Sequence, residues 1–76
     1  MNSNALKAKL VLNGMSVSDL LEKLNDLYKV KMSKSAFYRK LNGSSEFDRK
    51  EIVAISTCLE IDASNLLSIF FGEKVS

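Results

Sequence analysis

The sequence contains no proline, no histidine and no tryptophan, and only one cysteine and three glycines in 76 residues. Without proline, no helix interior carries an obligatory break, and with so little glycine few positions favour left-handed backbone. An all-helical chain, its elements ended by caps, is the natural expectation. One cysteine excludes an internal disulfide. Without histidine or a second cysteine, the nitrogen and sulfur ligand sets of zinc cannot assemble. Cys58 falls in a helical apolar pattern, where a buried, inert thiol is expected. There is no nucleophile beside a base and no phosphate-cradling glycine loop, so neither an enzyme nor a cofactor is expected. No apolar run is long enough to cross a bilayer and no signal peptide is visible, which points to the cytoplasm and away from membranes.

What is present is a well-patterned globular chain. Hydrophobic residues make up 46%, enough for a core in a single domain of this length. One signature recurs four times: a polar cap preceded by an apolar residue, with another apolar residue four positions into the helix. This is the hydrophobic staple, which packs the incoming chain onto the first turn. The pairs are Met15 and Leu20 around Ser16, Met32 and Phe37 around Ser33, Phe47 and Ile52 around Asp48, and Ile61 and Leu66 around Asp62. Asp19 and Glu51 stand at the third helical positions, as in a capping box. With a first helix begun near Ser3 or Asn4, five helices are expected, over about 4–13, 17–28, 34–42, 49–59 and 63–71.

The expected core is Leu6, Leu10, Leu20, Leu24, Phe37, Leu41, Ile52, Ile55 and Leu59, with Ser56 or Cys58 also turned inward. The second helix carries a stripe of Val17, Leu20, Leu21, Leu24, Leu27 and Tyr28. The ends, 1–3 and 72–76, read as frayed.

Charge is unevenly placed. Residues 1–28 balance Lys7, Lys9 and Lys23 against Asp19, Glu22 and Asp26. Residues 29–50 set Lys29, Lys31, Lys34, Arg39, Lys40, Arg49 and Lys50 against only Glu46 and Asp48. Residues 51–76 are acidic. The basic segment surrounds the third helix, which lies within MSKSAFYRKLNGSSEF (32–47). That helix has a serine cap, one inward aromatic, an outer face of Lys34, Ser35, Tyr38 and Arg39, and an Asn42-Gly43 stop. Donors and acceptors on an exposed face near a helix N-terminus suit the reading of base edges, and surrounding lysines suit phosphates. A plain solvated charged face is the competing reading.

Residues 16–71 resemble a phage-repressor (Cro/XRE-type) helix-turn-helix domain. The likeness is carried by SKSAFYRKLNG (33–43), FDRKEIVAISTCLEI (47–61) and DASNLLSIFF (62–71), and is greatest to small Cro-like regulators of Gram-positive phages. It implies a compact five-helix fold whose second and third helices form the motif. It also implies a sequence-specific transcriptional regulator that binds double-stranded operator DNA as a homodimer in a bacterial host's cytoplasm. One segment departs from the pattern. NDLYKVKM (25–32) lengthens helix 2 or the turn after it, where the family has three or four residues. The alternation of Tyr28, Val30 and Met32 with Lys29 and Lys31 reads as an extended connector with its lysines outward.

The candidate DNA-binding residues follow. Arg39 is the candidate for a bidentate contact to guanine, with pairing to Glu46 as its alternative. Tyr38 either contacts a sugar or a thymine methyl, or covers a hydrophobic edge. Lys34 and Lys40 are candidates for phosphate, as are Lys29 and Lys31 unless the connector folds back onto helix 1. Ser16 and Ser18 open helix 2, where members of the family present amides to a phosphate. Ser33, Ser35, Asn42 and Ser44 complete the set. Ile69, Phe70 and Phe71 are the expected dimer surface. The alternative function is a protein-binding module of the same fold, an antirepressor or a factor that sequesters a partner regulator.

Overall fold

The structure, a computed structural model, describes residues 2–72. Among them are five helices and no strand: α1 (Ser3–Leu12), α2 (Val17–Tyr28), α3 (Lys34–Leu41), α4 (Arg49–Cys58) and α5 (Ala63–Phe71). No helix is long and apolar enough to cross a membrane. All four expected caps are in place. Ser16, Ser33, Asp48 and Asp62 each accept the backbone N–H three residues on. Asp19 and Glu51 in turn each accept the cap's own N–H, closing two capping boxes. Each cap contributes about 1 kcal/mol by giving a partner to an amide that the helix cannot satisfy.

α1 starts earlier than expected, because Asn2 is its cap. The Asn2 N–H also donates to the Ile69 carbonyl at 2.7 Å, so this end is tied to α5 rather than frayed. Met1 and residues 73–76 of the expected frayed ends lie outside the described residues. At the other end of α1, the Asn13 side-chain amide donates to the Leu59 carbonyl at 3.2 Å. The two ties make α1 run antiparallel along α5. Gly14 then takes the left-handed conformation, φ +65°, that turns the chain into α2.

All nine expected core residues are buried, joined by Val30, Ala54, Ile61, Ile69 and Phe70. α2 is the central element, packed on both α3 and α4. Its stripe is narrower than the sequence indicated. Leu27, at the edge of the stripe and in the last turn, is 66% exposed. α2 then ends at Tyr28, so the extra length of this region lies in the turn and not in the helix. Lys29 adopts the left-handed conformation (φ 57°, ψ 31°) and donates its N–H to the Asn25 carbonyl. Beyond it the alternation holds: Val30 is buried and Met32 half-buried, while Lys29 and Lys31 are exposed.

The dimer surface expected at the C-terminal end needs correction. Ile69 and Phe70 are core residues, Phe70 packed edge-on against Phe47 of the loop before α4, and only Phe71 projects, 55% exposed. Of Ser56 and Cys58 on α4, Ser56 is buried and Cys58 half-buried. Partial burial raises the Cys58 thiol pKa, which keeps it protonated and unreactive. The Ser56 hydroxyl is buried with no hydrogen-bond partner. An orphaned buried hydroxyl costs its lost solvation, so Ser56→Ala should raise the unfolding free energy by about 1 kcal/mol. Phe37→Ala, which would empty a fully buried site, should lower it by about 3–5 kcal/mol. Urea unfolding of the two variants beside the parent checks both signs; a Ser56→Ala protein weaker than the parent would mean that the hydroxyl is satisfied.

Candidate nucleic-acid interface

The candidate interface centres on α3, two turns of helix whose inner side is Phe37 and Leu41. Ser33 caps it by accepting the Ala36 N–H at 3.1 Å. Half-buried Met32 and buried Phe37 form the staple that sets the angle at which the chain enters. Phe37 is fully buried and meets two aromatic rings edge-on: Tyr38 at 5.9 Å and Phe47 at 5.8 Å between centroids. With its inner side so held, α3 turns Lys34, Ser35, Tyr38 and Arg39 to solvent. Of the two roles expected for Tyr38, the packing one is in place. Its ring covers the edge of Phe37 while remaining 46% exposed. Arg39 makes no ion pair with Glu46; the only salt bridge among the described residues is elsewhere.

That salt bridge changes the reading of Lys40. Its ammonium contacts both carboxylate oxygens of Glu51 at 2.6 Å, with the two side chains 20% and 10% exposed. Lys40 was expected beside the phosphate-facing lysines. It lies instead on the α4 side of α3, because one residue before the inward Leu41 brings its stem against the first turn of α4. Glu51 is the residue whose place the sequence did not reveal. Its spacing from Asp48 showed a capping box, but a pairing across eleven residues leaves no local pattern.

At the end of α3, Asn42 and Ser44 bind each other. The Asn42 side-chain oxygen accepts from the Ser44 amide at 3.0 Å and from its hydroxyl at 2.8 Å. Both residues are exposed, and they hold a small turn rather than free polar groups. Lys31 and Ser33 border a shallow depression with Leu21, Glu22, Asn25 and Met32, so the connector rests against α2 and not α1. Arg49 and Lys50, which the sequence reading counted as charge but not as site, are exposed in the first turn of α4.

Ser16 and Ser18 open α2, both exposed. The Ser16 hydroxyl is committed to the Asp19 N–H at 3.1 Å, and the Asp19 carboxylate accepts the Ser16 N–H at 3.0 Å. The amides of the first helical residues, Val17 and Ser18, have no partner within the helix and point outward at its start. No cluster of three or more potential metal-ligating side chains occurs among the described residues. Comparison of the chain with protein-family models, with curated proteins and with solved structures finds no match.

The capping box has a pH signature. Hydrogen bonds from Ser16, first its backbone N–H and then its hydroxyl, hold the Asp19 carboxyl below its usual range. A depressed folded-state pKa gives stability that is present above the unfolded pKa, about 3.9, and is lost as pH falls through the lower folded value. Parent and Asp19→Asn proteins should therefore differ in melting temperature at neutral pH and converge once the pH has fallen below the carboxyl's lowered folded-state pKa. A gap that stays constant from pH 7 to pH 2.5 would show that the carboxylate charge adds nothing to this cap.

Proposed function

We propose that the protein is a sequence-specific DNA-binding transcriptional regulator of Cro/repressor type that presents α3 to the major groove of an operator and works in the cytoplasm of a bacterial host. One observation carries the reading. The inner side of α3 is fully consumed by the core, and the side left to solvent combines a planar guanidinium, two lysine- or serine-bearing first-turn positions and a half-exposed tyrosine. These groups match what base edges and phosphates require. The exposed bases Lys29, Lys31, Lys34, Arg49 and Lys50, which make no salt bridge among the described residues, supply a cationic surround, while Lys40 is spent on Glu51. The resemblance of residues 33–43 to the reading helix of phage repressors supports the same assignment.

One short helix spans few base pairs, so the reading includes a homodimer on two half-sites about one helical turn, roughly 34 Å, apart. With Ile69 and Phe70 in the core, the dimer contact moves to the exposed pair Leu67 and Phe71 on α5. A second reading, a module that binds another protein, is favoured by a different feature. Tyr28, Val53 and Ala54 form an apolar depression edged by Arg49 and Lys50.

Selection of bound fragments from a random DNA pool separates the two, since a protein-only binder enriches no sequence. On a selected site, Arg39→Ala should lose about 1–3 kcal/mol and relax discrimination at one base position. Lys34→Ala should weaken selected and scrambled duplexes alike and lower the salt slope by about one. Lys29→Ala and Lys31→Ala should behave like Lys34→Ala. If all four variants bind both duplexes as the parent does, α3 is not the reading element. Sedimentation on the selected duplex should show two chains per site, and Phe71→Ser should leave one.

A further inference from the structure

We infer that Glu51 is a positioning residue for the reading helix: acting through Lys40, it fixes the roll of α3 against α4 and thereby sets how sharply the protein distinguishes one DNA sequence from another. The roll itself is a property of the fold; its effect on discrimination rests on the DNA-binding reading above.

The argument starts from how little holds α3. The helix is eight residues long, and its buried side chains are Phe37 and Leu41, four residues apart on one line along the axis. Two anchors on one line leave rotation about that line weakly resisted. Lys40 is displaced from the line by one residue, about 100° around the helix. A tether at Lys40 therefore opposes roll, as neither core residue does. The other end of the tether is rigid. Glu51 is buried, sits in the first turn of α4, and accepts the Asp48 N–H at 2.8 Å with an oxygen that also meets Lys40. The capping of α4 and the orientation of α3 are thus one hydrogen-bonded unit. Side-chain tips lie about 5–6 Å from a helix axis, so a roll of roughly 10° displaces a reading atom by about 1 Å. That is enough to break the geometry of a hydrogen bond to a base edge, while a phosphate contact made by a flexible lysine survives it.

The test uses Glu51→Gln, which keeps an oxygen to accept the Asp48 N–H and removes the charge that holds Lys40. Ile55→Val serves as a control that weakens the core and leaves the Lys40–Glu51 pair in place. Hydrogen exchange is first measured with no DNA present. The amides of 36–41 should exchange at least tenfold faster in Glu51→Gln, with those of α1 and α5 unchanged. In Ile55→Val, protection should fall evenly across the chain. Affinity is then measured on a selected and a scrambled duplex. Glu51→Gln should lower their ratio about tenfold, mostly through loss on the selected site, and Lys40→Met should reproduce the effect. Faster exchange spread evenly over all five helices, or parent-like protection of α3, would overturn the proposal. So would a parent-like ratio in a parent that discriminates. A parent that binds no DNA would defeat the functional reading, and the exchange pattern would still decide whether Glu51 holds α3.

Discussion

An isolated helix of eight residues is not stable in water, since chains shorter than about 12–15 residues rarely repay the cost of nucleation. α3 exists because Phe37 is buried. That side chain gains about 1.5–3 kcal/mol from transfer out of water, and its ring begins a chain of edge-on contacts. Phe47 lies against Phe37, and Phe70 against Phe47 at 5.6 Å. Each such pair adds about 0.5–1.5 kcal/mol beyond area alone. The chain of rings links α3, the loop before α4 and the last turn of α5. Whatever α3 presents to solvent is therefore supported by residues more than thirty positions away, and on its exposed face Tyr38, edge-on to Phe37, adds to that support.

A chain without proline must end its helices by other means, and here the ends are polar caps and left-handed residues. Lys29 and Glu60 are the non-glycine residues of positive φ. Both sit just after a helix, where the chain reverses before a buried residue: Val30 in one case, Ile61 in the other. In each case the buried residue's N–H reaches back to a helix carbonyl, Leu24 for Val30 and Ser56 for Ile61. The local strain of the left-handed lysine or glutamate is offset by this pairing and by burial of the next side chain. The same device explains why the long 29–33 connector is ordered without being helical.

These local devices are what made the fold legible. Caps, staples and apolar spacing are written within four or five residues, so Ser16, Ser33, Asp48 and Asp62 and the nine core positions could be read directly. The points that escaped the reading depend on distant partners. Phe70 looked like part of an exposed aromatic cluster, because nothing near it in sequence shows that Phe47, more than twenty residues away, packs against it. Lys40 looked like its neighbour Arg39, because the difference between them is which side of a two-turn helix meets Glu51. Leu27 looked buried because periodicity marks a face but not where the neighbouring helix stops. The outer face of α3 was legible by subtraction, once Phe37 and Leu41 were assigned inward.

The electrostatics of the helix starts are also unequal, and the inequality bears on α3. α2, α4 and α5 each place a carboxylate at the cap or in the first turn: Asp19, Asp48 with Glu51, and Asp62. Those carboxylates complement the partial positive charge of the helix N-terminus and stabilise it locally. α3 has a neutral serine cap, no acid in its first turn, and Lys34 at its first position. A lysine there opposes the helix dipole and costs roughly 0.3–1 kcal/mol of local stability. α1 also lacks a first-turn acid, behind its Asn2 cap, but α3 alone of the five helices combines that lack with a lysine at its first position. Natural chains break such local rules mainly at functional sites. The arrangement accords with the DNA-binding role proposed above: an acid here would repel a phosphate, and the free first-turn amides and lysine would attract it. The cost at the start of α3 is carried by the buried Phe37, which makes the aromatic core and the cationic face two sides of one design.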